Sequence, residues 1–178
     1  MFRGLGSAIL AVLFAASGLL AQNVSNRQQV FFFKQVFKAK TKLGILCNKD
    51  QKQADLSEID IAAMSYQVWS KAANVKSLGD VGSGLRNLLN KEKVEAILLL
   101  PDPIISTPDT RKFIIQQCML EKIPVIGDSA EAVQDGAVYA LVIKDNKVQV
   151  LLNLRAAAAL DIQIPPEILN DATVLVQP

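Results

Sequence analysis

The chain has 178 residues, of which 51% are apolar and 20% charged, and its formal net charge is +2. This length predicts one domain, and the sparse Gly, Pro and charged residues exclude a collagen, a coiled coil or a disordered tail. The charge is nearly balanced and scattered, which argues against nucleic acid as a partner. The sequence contains no histidine, so Ser–His and Cys–His catalysis are excluded, and we expect no metal centre and no cofactor.

The first twenty-one residues predict a secretory signal peptide. Met1–Arg3 carries one positive charge, the run from Leu5 to Leu20 is uncharged, and a cleavage point follows Ala21. A retained membrane anchor is the alternative, but an uncharged run of about 16 residues is short against the ~20 that a spanning helix needs. We therefore expect cleavage, no stable insertion in the membrane afterwards, and a periplasmic or secreted protein.

Apolar strands alternate with amphipathic helices along the first half of the mature chain. Gln28–Phe37 is predicted to be a short helix in an N-terminal segment over residues 22–39, with a strand as the alternative because aromatic residues also favour strands. A lobe over residues 40–178 begins with the buried strand Lys42–Cys47. The next helix has an apolar face that steps by three or four residues: Leu56, Ile59, Ala63, Tyr66, Trp69 and Ala73. Tyr66 and Trp69 are therefore expected in the core.

The second half of the lobe carries the clearest strand, Val94–Leu100, which is nearly all apolar, as expected of a strand covered on both faces. It is preceded by the predicted strand Asn74–Leu78 and the predicted helix Gly82–Asn90. The later predicted elements are a helix over Pro108–Lys122, a strand over Ile123–Ile126, a helix ending at Gln134, a hairpin of Ala137–Ile143 with Lys147–Leu152, a helix over Leu154–Leu160, a helical turn at Pro165 and a strand over Val174–Val176.

This alternation predicts an α/β fold: a single open, mostly parallel, flavodoxin-like sheet with helices on both faces, ending in a β-hairpin. In such a sheet, ligands bind outside the carboxyl ends of the strands. Six polar residues near those ends are candidate ligand contacts: Asn48, Asp80, Asp102, Ser106, Asp128 and Ser129. Capping of helices and turns is the alternative role for each, because Asp, Asn and Ser commonly take it.

Catalytic and redox roles find little support in the sequence. No nucleophile elbow, metal cluster or nucleotide-binding loop pattern is present, so we expect a protein that is not an enzyme. Cys47 and Cys118 are expected to be buried thiols. A disulfide between them is the alternative, since the predicted compartment is oxidising.

The C-terminal run NLRAAAALDIQIPPEILNDATVLV (Asn153–Val176) resembles the C-terminus of ABC-transporter substrate-binding proteins, in the group with tryptophan- and tyrosine-binding members. Three further segments are similar to the second lobe of that family: FFFKQVFKAKTKLGILCNKD, VEAILLLPDPIIST and EKIPVIGDSAEAVQDGA. The resemblance covers residues 31–176. It implies the fold of a periplasmic-binding-protein lobe and a non-catalytic binding function.

The resemblance also implies a ligand, either a small polar solute, amino-acid-like in these relatives, or a partner protein. It places ligand contacts on the loop of Asp102 and Ser106, whereas Asp128 stands where family members commonly have a small or hydroxyl residue. Family members close two lobes on a ligand and only the second is recognised here, so we expect a homodimer or a partner protein to supply a second wall. An exported structural, adaptor or sensory accessory protein that binds no solute is the alternative.

Overall fold

The computed structural model describes residues 24–178, so the predicted signal peptide at residues 1–21 lies outside the described residues. The strands are β1 (Lys42–Cys47), β2 (Trp69–Asn74), β3 (Ala96–Leu99), β4 (Val125–Gly127), β5 (Tyr139–Lys144), β6 (Lys147–Asn153) and β7 (Thr173–Val176). The helices are α1 (Asn26–Val36), α2 (Gln53–Ser65), α3 (Leu78–Arg86), α4 (Pro108–Leu120), α5 (Ala130–Asp135), α6 (Leu154–Ala159) and α7 (Pro166–Leu169), and a π-helical turn over Asn87–Lys91 continues α3.

The strands form one sheet in the order β2-β1-β3-β4-β5-β6-β7. Strands β1 to β5 pair in parallel, β6 returns antiparallel to β5, and β7 pairs in parallel with β6. The predicted α/β fold and its hairpin are confirmed. The hairpin is followed by one further edge strand, β7, where the sequence predicts a strand over Val174–Val176.

Helices cover both faces of the sheet, and each face has its own core. Helices α1, α2, α6 and α7 pack on one face, and the buried side chains between them and the sheet form the first core. Helices α3, α4 and α5 pack on the other face and form the second core in the same way. Strand β3 serves both, because Leu98 belongs to the first core while Ile97 and Leu99 belong to the second. This is why the strand is apolar at every position.

The two cysteines lie in different cores, Cys47 in the first and Cys118 in the second, and both are free thiols. Burial raises the pKa of Cys47 to about 11 and that of Cys118 to about 12. The buried-thiol interpretation therefore holds in this fold, and the sheet between the two side chains excludes the disulfide.

The helix predicted through Ala73 ends earlier, at Ser65, and the prediction that Trp69 lies in the core is wrong. Gln67 adopts a positive φ of 55° and terminates the helix, after which Trp69 begins the edge strand β2 with 43% of its surface exposed. Tyr66 is partly buried. A spacing of four places residues on one face of a helix and also on one face of a strand, so the helical pattern concealed the strand.

Within residues 24–178, no helix has the length and apolar character that a membrane crossing requires.

Tyr139 provides a test of the first core. The residue is fully buried, its hydroxyl has no hydrogen-bond partner among the described residues, and desolvation raises its pKa well above the usual value. An unsatisfied buried polar group costs ~1–3 kcal/mol, so Tyr139→Phe should raise the free energy of unfolding by about 1 kcal/mol in urea denaturation. Tyr66→Phe, at the partly buried tyrosine, is the control and should change little. A less stable Tyr139→Phe variant would show that the hydroxyl is satisfied.

Candidate functional site

The loops that follow β1, β3 and β4 meet at the carboxyl edge of the sheet, where they form a continuous row of hydrogen bonds. The backbone N–H of Asn48 donates to Asp102 Oδ2 at 3.3 Å, and the backbone N–H of Asp102 donates to Ser106 Oγ at 3.2 Å. The Ser106 hydroxyl in turn donates to Asp128 Oδ2 at 2.5 Å. Four of the six predicted site residues are thus brought together.

The buried Asp102 side chain holds the loops of this edge together through hydrogen bonds to their backbone. The residue is only 4% exposed, and its Oδ1 accepts the backbone N–H groups of Ile104 at 2.8 Å and Ile105 at 3.2 Å, while Oδ2 accepts that of Asn48. Such bonds fold the loop after β3 back on itself and join it to the loop after β1. The Asp102 carboxylate therefore positions the loop on which Ser106 is carried.

Arg111, on α4, is hydrogen-bonded to the same loop. Its guanidinium donates to the Ser106 carbonyl at 3.0 Å and makes a two-bond ion pair with Asp135, at 2.8 Å from Nε and 2.7 Å from Nη2. The arginine is 7% exposed. Two charge-assisted hydrogen bonds to the single oxygen Oδ2 of Asp135, together with the bond to the Ser106 carbonyl, fix α4, α5 and the Ser106 loop relative to one another.

Asp128 is held at the edge by its neighbours on both sides. Gly127 ends β4, and a Cβ added there would lie 2.6 Å from the Ala132 Cβ, so only glycine lets α5 pack this closely. Ser129 caps α5 by accepting the Ala132 N–H at 3.3 Å. While Ser106 occupies Asp128 Oδ2, Oδ1 is buried and has no hydrogen-bond partner among the described residues.

A cavity of about 210 Å³ lies beside Asp128, between the carboxyl edge and the first turns of α1 and α2. The residues at the ends of β3 and β5 that line it are Leu99, Leu100, Pro101, Leu141, Val142 and Ile143, of which Leu99 and Val142 direct their side chains to the opposite face of the sheet. Its polar lining is Asn26, Gln29, Lys52, Asp55 and Asp128.

Most of the polar groups around this cavity already have partners. Lys52 pairs with Asp55 at 3.3 Å, and the Asn26 amide donates at 3.0 Å to both Asp55 and Glu58. Gln29 Oε1, like Asp128 Oδ1, is buried without a partner in the described chain. The cavity is thus lined by apolar residues and by two residues, Gln29 and Asp128, that each carry a buried and uncommitted hydrogen-bond acceptor.

A larger, open cleft of about 470 Å³ lies between α3 and α4, beside Gly82, Arg86 and Phe113. None of the buried unpartnered polar atoms in residues 24–178 belongs to the residues that line it. The cavity beside Asp128 is therefore the stronger candidate for a ligand site.

Of the six predicted site residues, only Asp128 lines this cavity; Asn48, Asp80, Asp102, Ser106 and Ser129 do not. Asp80 caps α3, since its Oδ2 accepts the Ser77 hydroxyl at 2.9 Å and the backbone N–H groups of Ser77 and Lys76 at 2.9 and 3.0 Å. These bonds, chiefly that from the Ser77 hydroxyl, hold the pKa of Asp80 below its usual value. Asp80 and Ser129 thus have the capping roles that the sequence left open.

Sequence reasoning missed the polar residues on the first turns of α1 and α2, among them Asn26, Gln29, Lys52 and Asp55. The topology of the predicted elements contains a signal for these residues. A helix joined to a strand by a short connection runs antiparallel to it, so the N-termini of both helices that flank β1 in the chain lie at the carboxyl edge. Applying that rule to α1 would have added Gln29 to the candidates.

Comparisons with known proteins address the family and the fold of this chain. A family model described as ABC transporter substrate binding protein matches residues 17–150. No match was found among curated proteins.

Solved structures of similar fold include an ABC domain in complex with L-Trp from Streptococcus pneumonia, with a TM-score of 0.76 at 18% identity, covering 85% of this chain and 60% of that one. A conserved domain protein from Vibrio cholerae has a TM-score of 0.76 at 20% identity, covering 86% and 61%. The ligand-free, open structure of a substrate-binding protein with adhesive properties from Clostridium difficile has a TM-score of 0.69 at 12% identity, covering 87% and 61%. The chain spans about 60% of the length of these structures.

Proposed function

The chain belongs to the ABC transporter substrate-binding protein family, and on that basis we propose that it binds a small polar solute at the carboxyl edge and catalyses no reaction. The observation that carries this proposal is the cavity beside Asp128, with two buried acceptors that lack partners. Buried polar groups in native proteins almost always have hydrogen-bond partners. Two exceptions lining one cavity are what a binding site without its ligand would show.

The loop beside Asp128 is ordered by hydrogen bonds within the protein. Asp102 and Arg111 fix the loop of Ser106, and the Ser106 hydroxyl fixes the orientation of the Asp128 carboxylate. The leucines at the ends of β3 and β5 offer an apolar surface for the remainder of the solute. A site ordered in advance loses little entropy on binding, which favours affinity.

A second wall forms part of the proposal. The cavity of about 210 Å³ is smaller than the ~300–1,000 Å³ of most drug-sized ligand sites, so it surrounds a small solute or part of a larger one. We propose that a homodimer or a partner protein covers the carboxyl edge and completes the site. The L-Trp in the complex from Streptococcus pneumonia supports an amino-acid-like solute.

Binding is tested by thermal shift with a panel of amino acids, including L-Trp, and other small polar solutes. A solute at about 100 times its Kd should stabilise the protein by ~2.7 kcal/mol and raise its Tm. Ser106→Ala should abolish the response because it releases Asp128, whereas Ser83→Ala, on α3, should retain it. A panel with no response, or an equal response in Ser106→Ala, contradicts binding at this site.

Export is proposed from the signal peptide pattern of residues 1–21. Expressed at full length in a bacterial host, the protein should be recovered from the periplasm or medium with Gln22 as its first residue, because a small-residue cleavage point ends at Ala21. N-terminal sequencing gives the result. Recovery of intact Met1 from the membrane fraction would contradict it.

A structural or adaptor protein remains the second candidate, favoured by the apolar surface of α2. Ile61 and Met64 are 65% and 80% exposed there, and the partly exposed ring of Phe31 on α1 packs 5.8 Å from the ring of Tyr66 at the end of α2. Exposed apolar groups in proximity are typical of protein-interaction surfaces. Under this alternative no solute in the panel raises the Tm, and Ile61→Ser weakens capture of a partner protein.

A further inference from the structure

We propose that the cavity beside Asp128 takes a small protonated primary amine with an aliphatic body. The inference rests on the proposed function, since it names the class of solute that the same site binds. It is carried by the charges, acceptors and apolar wall that meet there.

The charge balance of the cavity leaves one carboxylate uncompensated. Lys52 and Asp55 neutralise each other across 3.3 Å. Asp128 has no Lys or Arg nitrogen within 4.0 Å among residues 24–178, so its negative charge has no partner in the described chain. A partly buried carboxylate without a counter-charge is costly, and a cationic ligand would remove that cost.

The uncommitted hydrogen-bonding atoms of Asp128 and Gln29 are acceptors, so a ligand that pairs with them must supply a donor. Asp128 Oδ2 is committed to the Ser106 hydroxyl, while Asp128 Oδ1 and Gln29 Oε1 accept nothing from the described residues. An ammonium group presents three N–H donors and no acceptor, which matches the free acceptors of two residues that line one cavity. A carboxylate or phosphate in that place would put acceptor against acceptor and like charge against like charge.

The remainder of the lining determines what the amine is attached to. Leu100 and Leu141, which belong to the first core, and Ile143, on the same face of β5 as Leu141, offer aliphatic side chains. Against these side chains a hydroxyl group would lose a hydrogen bond to water without gaining another. An aliphatic or amino-acid-like body would instead bury apolar surface.

A metal cation fits the same oxygens poorly. Ca²⁺ takes 6–8 oxygen ligands and Mg²⁺ six in near-octahedral geometry. Within residues 24–178 no group of three or more His, Cys, Asp and Glu side chains could hold a metal ion. One carboxylate oxygen and one amide oxygen instead suit an organic ammonium ion, whose charge is smaller and whose hydrogen bonds are fewer.

The test uses three probes of one shape: isopentylamine, isopentanol and isovalerate. Their Kd values for the full mature chain are measured by NMR titration at pH 7, where the amine is cationic and the acid anionic. Wild type should bind the amine at least ~10-fold more tightly than the alcohol, because charge-assisted hydrogen bonds are about twice as strong as neutral ones, and isovalerate most weakly. Gln29→Leu should weaken amine binding but retain the preference.

Asp128→Asn keeps the size of the side chain and removes its charge, so the amine preference should fall to ~2-fold or less. Asp145→Asn, at the turn between β5 and β6, makes the same change in net charge and should leave the preference intact. Equal affinity for the three probes in wild type, or an unchanged preference in a folded Asp128→Asn, overturns the amine proposal while solute binding stands. If no probe and no member of the thermal-shift panel binds, the proposed function fails with it.

Discussion

Leu98→Asp should leave the chain without a stable folded state. Leu98 is fully buried in the central strand β3, where its backbone lies between Ile45 of β1 and Ile126 of β4. A carboxylate at that position has no counter-charge and no water, and burying it costs several kcal/mol or more, against a total stability of ~5–15 kcal/mol. We expect loss of the cooperative melt in far-UV circular dichroism and recovery in the insoluble fraction.

The matched control places the same substitution on the surface. Leu78 is 68% exposed at the first position of α3, where an acidic residue also suits the positive end of the helix dipole. Leu78→Asp should therefore melt like the wild type. A cooperative melt of Leu98→Asp near the wild-type Tm would mean that β3 is not the buried centre of the sheet.

Arg111→Ala should cost about 3 kcal/mol or more in the free energy of unfolding. The substitution leaves the largely buried Asp135 carboxylate without the guanidinium that donates two bonds to its Oδ2, and breaking a buried ion pair from one side typically costs ~3–5 kcal/mol. It also removes the donor to the Ser106 carbonyl. Urea denaturation followed by circular dichroism measures the change, and the thermal-shift response to solute should weaken as the loop loses its support.

Lys112→Ala is the natural comparison, because Lys112 is the next residue of α4 and also approaches Asp135, at 3.9 Å, but from an exposed position. Exposed ion pairs contribute ~0–1 kcal/mol, so this variant should stay within that range. If the two variants lost the same free energy of unfolding, burial of the Arg111–Asp135 pair would contribute nothing to stability beyond the interaction of its charges.

Most strands are predictable from the chain because they are short apolar runs with clear ends, but the sequence predicts a strand at Asn74–Leu78 where the structure has β2 over Trp69–Asn74. The run Val94–Leu100, which contains β3, is apolar throughout because its residues contribute to both cores, and Pro101 ends the run. Asn153 precedes α6 and caps it, donating its own amide to a carbonyl while accepting the Ala156 N–H. The row of Asn48, Asp102, Ser106 and Asp128 follows from one topological rule, that parallel strands place their carboxyl ends at one edge.

The errors arise where local pattern does not determine structure. The spacing of Trp69 and Ala73 suits a helix and a strand equally, and only the turn at Gln67 and the pairing with β1 decide between them. The Arg111–Asp135 pair joins residues far apart in sequence, so no spacing reveals it. Which oxygen of Asp128 is left uncommitted depends on the Ser106 rotamer and the packing of α1, which the sequence does not specify.

The most direct measurement of the central claim, that a solute occupies the carboxyl-edge cavity, is a map of backbone amide chemical shifts on titration with the tightest-binding solute of the panel. The largest changes should fall on the residues around the cavity, at Gln29, Leu100, Asp128 and Leu141. Ser106 should respond as well, since its hydroxyl holds the carboxylate. Changes centred on Gly82 and Phe113 in the cleft between α3 and α4, with the carboxyl edge unaffected, would contradict the claim.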